Sequence, residues 1–197
     1  MKYFIAESIS SLFHPAIFFL IMPFLIVYRE TASTIYAFKW EVFSALFVFI
    51  AIAIILVGRK KGVFSDCDLS KKEERYEFYA LLLFFGVVYV AIALFFKGIF
   101  FPMSFISLGI IVGIVVLNIV NRYVKASNHI AVSSAFAATI GLLYGFEYFL
   151  AALWIVPLNA WARLYLKKHT KNEVFTGGAL GIAITLLTFF AGEYMYK

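Results

Sequence analysis

The sequence predicts an all-α, polytopic membrane bundle with six to seven membrane helices, a single integral membrane domain over residues 1–197. Three observations carry that expectation. First, 64% of the residues are hydrophobic and only 14% are charged, against about half and about a quarter in an ordinary soluble domain. A globule of this size leaves much of its surface outside, so the excess has to face hydrocarbon. Second, apolar stretches near the roughly 20 residues that a crossing needs recur along the whole chain. Third, Lys and Arg fall mostly between those stretches or at their ends. No strand pattern, sequence repeat or soluble domain interrupts the series, and lipid leaves helices as the structure that satisfies the backbone.

Crossings are expected at about 3–28, 39–58, 76–96, 101–121, 128–144, 147–166 and 173–195. The first reads as a membrane helix and not a removable signal, because no small-residue cleavage site follows it. His14-Pro15 and Pro23 should bend it, with His14 bonding a carbonyl that the bend frees. The second is free of charge from Val42 to Val57. The third runs from Phe78 to Phe96 and the fourth from Met103 to Val120, with Lys97, Gly98 and Pro102 turning between them. The fifth is only about 24 Å long and reads as shallow or partly buried in protein. Its small residues (Ala131, Ser133, Ser134, Ala135, Ala137, Ala138) favour close helix packing. Gly145-Phe146-Glu147 turns the chain into the sixth, and the last segment begins after Asn172. Gly58 to Glu77 is the longest polar stretch and reads as a loop. Tyr3, Tyr28, Trp40, Trp154, Trp161 and Tyr194 are placed as an interfacial belt.

The net charge of +6 is modest and lies in loops. Nucleic acid is therefore a poor partner, whereas anionic lipid and phosphate suit basic loops at a membrane rim. Cys67 is the only cysteine, which excludes an intramolecular disulfide and a thiolate metal site. Thirteen Lys and Arg residues fall on one side of the predicted topology and four on the other. That asymmetry assigns the richer side to the cytoplasm. Leaving out Lys71, Lys72, Arg75, Lys125 and Arg163 still leaves eight against four.

Three polar clusters lie just outside apolar segments, each separated from the next by two crossings, so all three emerge on one face. Lys71, Lys72 and Arg75 precede the third helix. Lys125, Ser127, Asn128 and His129 open the fifth. Arg163, His169 and Glu173 join the sixth to the seventh. If the seventh helix starts near His169, His169 and Glu173 stack at i, i+4. A carboxylate on one imidazole nitrogen leaves the other free as a nucleophile. Ser127 reads as an N-cap, with the amides of Asn128 and His129 turned outward at the helix's positive end. His129 can serve as a general acid, and a guanidinium grips phosphate oxygens in a planar fork. Each cluster alone is also an ordinary positive flank among headgroups. Together they meet the electrostatic needs of phosphoryl transfer. Asp66 and Asp68 are the only aspartates, which is too few for the two aspartate-rich motifs of a magnesium–diphosphate site. They read as solvated loop residues pairing with nearby Lys.

With those residues in view, the chain resembles the type 2 phosphatidic acid phosphatases, the lipid phosphate phosphatases. That family carries K-x-x-x-x-x-x-R-P, then P-S-G-H, then S-R-x-x-x-x-x-H-x-x-x-D. Ala162-Arg163, five residues, His169, three residues and Glu173 match the third pattern, and the Gly177 to Gly181 run follows it as in the family. Ala126-Ser127-Asn128-His129 resembles the second. The resemblance implies a phosphatase-like core over about 71–195. It implies His169 as the nucleophile forming a phosphohistidine, Glu173 orienting it, and His129 as the acid for the departing alcohol. Arg163, Arg75, Ser127 and Asn128 would hold phosphate, together with Lys71, Lys72 and Lys125. It implies no cofactor and no metal, with a lipid phosphate as substrate, membrane lipids as surroundings and no nucleic acid. The tails would enter between the third, fifth and seventh helices. Asp68 stands where the family has its lysine, so Lys71 or Lys72 would replace that residue. Tyr76 replaces the proline, Asn128 a glycine, Ala162 a serine and Glu173 an aspartate. A second reading keeps the cationic pocket for binding or transport of lipid phosphates with weak or no turnover. A third treats the chain as a structural membrane protein.

Overall fold

The computed structural model describes residues 1–69, 71–95 and 103–196. It is all helical, with no strand among the described residues. The elements are α1 (Lys2–Leu12), α2 (Pro15–Thr31), α3 (Thr34–Lys60), α4 (Glu74–Phe95), α5 (Met103–Val120), α6 (Asn128–Tyr144), α7 (Phe146–Leu153), α8 (Ile155–Tyr165) and α9 (Lys171–Tyr196). Among the described residues, four helical stretches are long and apolar enough to cross a membrane: Lys2–Thr31 with α1 and α2 taken together, Thr34–Lys60, Glu74–Phe95 and Lys171–Tyr194. The chain is thus a helical membrane protein by length and composition. The turn expected at Lys97, Gly98 and Pro102 lies outside the described residues.

Two of the expected crossings are broken helices, and proline breaks both. Pro15 cannot donate to a preceding turn, so α1 stops at Leu12 and Pro15 restarts the chain as the first residue of α2. His14 is the N-cap, and its Nδ1 accepts the Ala16 N–H at 3.2 Å. This corrects the expected bond from His14 to a carbonyl: a helix start has spare donors, not spare acceptors. Pro23, in contrast, stays inside a continuous α2. Pro157 would clash with the Leu153 carbonyl four residues back. The expected sixth crossing accordingly divides at Trp154 into α7 and α8.

The helices pack through small residues. The most extensive contact is α6 on α9, followed by α2 on α3, and α1 lies against α8. A Cβ added to Gly181 would collide with the Ala131 carbonyl, and one added to Gly177 would stand 2.5 Å from the Ser127 carbonyl. Only hydrogen fits there, so the two backbones come together as small-residue membrane helices do. Ala131, Ser133, Ser134, Ala137 and Ala138 are all buried. Trp40 departs from the belt: it is buried beside Phe43 and Tyr89.

The loop between α3 and α4 folds back on the bundle. Phe64 packs over Gly58, and Leu69 is buried with Phe78 and Tyr79. Glu74 accepts from the backbone and hydroxyl of Ser65 at 2.9 and 3.0 Å. The loop is therefore a packed element that carries Asp68 inward, not a solvated excursion.

Gly181→Ala should lower the thermal unfolding midpoint in detergent by several degrees, since overpacking costs about 1–3 kcal/mol. Gly113→Ala, where a Cβ would meet nothing within 4 Å, should leave the midpoint unchanged or slightly raised. Equal midpoints for the two variants would contradict the close α6–α9 approach.

Candidate functional site

The site is built where α6 and α9 begin side by side. The Ser127 N–H donates to the Glu173 carbonyl at 3.0 Å, which ties the start of one helix to the first turn of the other. Thr170 and Glu173 form a capping box. The Glu173 N–H donates to the Thr170 hydroxyl at 3.3 Å, and the Thr170 N–H donates to Glu173 Oε2 at 3.1 Å. The same Oε2 lies 2.9 Å from His169 Nδ1. One carboxylate thus caps α9 and orients the imidazole, leaving Nε2 of His169 as the nitrogen free of that contact.

Electrostatics keep His169 neutral. Burial, the charge of Arg163 and, more weakly, those of Arg75 and Lys125 push its pKa down to about 4, against a smaller upward pull from Glu173. Arg163 is 3% exposed. Its Nη1 donates to Ser10 Oγ at 3.0 Å and to Asp68 Oδ2 at 3.1 Å. Lys168 Nζ lies 3.6 Å from the same Asp68 oxygen. Burial pushes the Asp68 carboxyl up, but Arg163, His129 and Lys168 outweigh it and hold the group below the ordinary aspartate range. Lys125 is pulled down by burial and by Arg75, and its ammonium points at the Lys168 carbonyl, 3.4 Å away.

His129 stands in the first turn of α6, 5% exposed, close enough to Arg163, Asp68, His14 and His169 to feel their charges. Four buried atoms in this region lack a protein partner: His129 Nε2, Ser127 Oγ, Arg163 Nε and the Oδ1 of Asn159, whose amide nitrogen donates to the His129 carbonyl at 3.4 Å. Buried polar atoms are nearly always paired. Arg163 Nε can only donate, so a missing partner for it has to be an acceptor.

Of the residues expected to act, the structure brings Arg163, His169, Glu173, His129 and Ser127 together, with Lys125 and Arg75 at the margin. Ser127 holds the N-cap position, yet its hydroxyl makes no capping bond. Arg75 does not present an open fork. Its Nε and Nη1 donate to the carbonyls of Leu69 and Ala126, each at 2.9 Å, and so pin the α3–α4 loop to the turn before α6. The Asn128 side chain turns to Tyr79, whose hydroxyl donates to it at 2.7 Å. Lys71 and Lys72 are corrections. Lys71 is exposed and sits 3.6 Å from Glu74, while Lys72 donates to the Arg122 carbonyl. Each is thus engaged by a neighbour near the turn ahead of α4.

Asp68 and His14 are the residues that reading the sequence missed. Asp68 was placed in solvent, and His14 was placed as a structural residue within the first helix. One polar atom of each lies with one of His129 in a group whose members are within 4.8 Å of one another. The trio fits a metal ion poorly. His14 uses its Nδ1 lone pair on the Ala16 N–H, which puts the proton of the neutral ring on Nε2. Asp68 already faces Arg163 and Lys168, and their charge repels a further cation. The donors suit an anion.

Two cavities meet here. A polar vestibule of about 330 Å³ includes Ser10, Arg59, Asp66, Arg163 and Lys168 in its wall. An apolar cavity of about 410 Å³ runs down the bundle toward Ile184 and Phe189. Four residues line both: His14, Cys67, Asp68 and His129. His169 and Glu173 line neither.

The unfolded chain protonates His169 near 6.5 and the folded protein only near 4. The folded state therefore loses stability as pH falls from about 6.5 toward 4, and this group adds no pH dependence above 6.5. Thermal unfolding in detergent across that range should show an acid-side drop that is smaller in His169→Gln. An imidazole titration near 6.5 in the folded protein would contradict the assignment.

Comparison of the chain with models of known protein families, with characterised proteins and with solved structures finds no match.

Proposed function

We propose that this chain is an integral membrane phosphatase that removes a phosphate or diphosphate from a lipid through a phosphohistidine on His169. In this reading the bundle crosses the membrane six to seven times and carries its site on the cytoplasmic face. The observation that carries it is the set of buried, unpartnered atoms, Arg163 Nε, His129 Nε2 and Ser127 Oγ, beside an imidazole already oriented by Glu173. A phosphoryl group supplies the acceptor oxygens that such donors lack. The meeting of a polar vestibule with an apolar cavity favours an amphiphile, with its headgroup among the cations and its tail inside the bundle. The cavity is walled by α2, α3 and α5 as well as by the α4, α6 and α9 expected to admit the tail.

The chemistry follows from the placements. Glu173 accepts the Nδ1 proton of His169, so Nε2 attacks phosphorus in line. The P–O bond to the alcohol breaks as the N–P bond forms, and His129, entering this step as the imidazolium beside the bound phosphate, gives its proton to the departing oxygen. Arg163 and Ser127 hold the phosphoryl oxygens as charge spreads over them. Water, losing a proton to His129, then cleaves the N–P bond and returns both imidazoles to their starting states. Asp68 already pairs with Arg163. An incoming phosphate competes with that carboxylate for one guanidinium, and separation of the Asp68–Arg163 pair opens the way from the vestibule to His169. The substrate class is a phosphatidate, a phosphatidylglycerophosphate or a polyprenyl diphosphate.

Purified protein should release phosphate from at least one of these lipids, and His169→Ala should reduce release by about a thousandfold or more. Acid-labile phosphate should be trapped on the wild-type chain alone. Equal release by the variant would end the phosphohistidine reading. Retained protection by orthovanadate against heating without any release would favour binding or transport instead.

Cys67, the single cysteine, is exposed. A membrane-impermeant maleimide should label it only after cells are opened. Labelling of intact cells would reverse the sidedness.

A further inference from the structure

His14 lies more than a hundred residues from the other imidazoles in sequence, and the break at Pro15 brings it to them. Its ring stands edge-on to His129, with centroids 5.0 Å apart and planes at 89°. The Ala16 N–H on Nδ1 selects one tautomer. Neutral His14 must then carry its proton on Nε2, as a donor directed away from its own helix. Across that edge contact, His129 Nε2 is buried and has no partner. His14 also lines the seam between the polar vestibule and the apolar cavity. In an amphiphile, the atom at such a seam is the oxygen that joins headgroup to tail.

We propose that His14 is a further catalytic residue of this site, donating a hydrogen bond from Nε2–H to the leaving oxygen of the phosphorylated lipid. This rests on the phosphatase reading above and deepens it. As the P–O bond breaks, negative charge develops on the leaving oxygen. That oxygen takes the proton of His129 while accepting the hydrogen bond of His14. His14 itself gains and loses no proton, so its role is that of a fixed neutral donor. A neutral imidazole is suited to this because its tautomer is set before substrate arrives and needs no reorganisation in the step. The helix cap is what sets it.

The cap provides the test, because asparagine and serine cap helices well and alanine does not. His14→Asn and His14→Ser keep the α2 start but remove the imidazole donor, and His14→Ala removes both. The measurements are thermal midpoint, kcat and KM for phosphate release from the lipid that the wild-type protein cleaves, and thermal protection by orthovanadate. With a catalytic His14, Asn and Ser should unfold at the wild-type midpoint yet lose about a hundredfold in kcat. KM should change little, and vanadate protection should weaken. With a merely structural His14, Asn and Ser would keep wild-type kcat and only Ala would lose activity along with stability, which overturns the proposal. Wild-type protein that neither releases phosphate nor is protected by vanadate would overturn the phosphatase reading, and this inference with it. Wild-type kcat in His14→Asn beside an inactive His169→Ala would overturn the role of His14 alone.

Discussion

The close approach of α6 to α9 is the constraint on which the site depends. Gly177 and Gly181 let the α9 backbone reach the carbonyls of Ser127 and Ala131, and the Ser127 N–H bonds the Glu173 carbonyl. Without side chains between them, the two helices share one register. His129, in the first turn of α6, is thereby set near enough to His169, just ahead of α9, to feel its charge. Van der Waals contact between small residues is the means by which helices associate where lipid removes the hydrophobic drive. Bulk at either glycine would move both imidazoles, because each is held through its helix start.

Charge balance is the second theme. Arg163 is buried near Lys168, Lys125 and Arg75, and a cation so placed needs a partner. Asp68 supplies one from a loop that is itself packed by Phe64 and Leu69. An internal carboxylate thus sits on the guanidinium of Arg163. Under the proposed function, affinity for a phosphate is a contest between two anions rather than simple attraction to bare cations. Asp68 leaves Arg163 Nε, Ser127 Oγ and His129 Nε2 unpaired, and in the proposed reading a phosphate would satisfy them.

Broken helices place the remaining polar groups. Pro15 ends α1 so that Ser10 reaches Arg163 and His14 turns toward His129. Pro157 ends α7, and the short α8 then carries Arg163 along α1. Half-helices cost backbone hydrogen bonds, which in an apolar setting must be recovered by caps. His14 is such a cap, accepting the Ala16 N–H on Nδ1.

Composition and apolar spacing were enough to read off an all-helical membrane protein and the approximate bounds of α3, α4, α6 and α9, because hydropathy is a local property that lipid makes decisive. The contact of His169 with Glu173 was equally legible, since four residues of helical spacing determine it. Pro157 was a visible signal for the division of the sixth segment and was overlooked, the apolar run being read as continuous. His14, Asp68 and the engagement of Lys71 and Lys72 by their neighbours were not legible. The Asp68–Arg163 and Ser10–Arg163 contacts span 95 and 153 residues, and no periodicity encodes a contact at such distance. Only tertiary packing, through the glycine seam of α6 and α9 and the folded-back α3–α4 loop, decided which charges share a cavity and which remain at the rim.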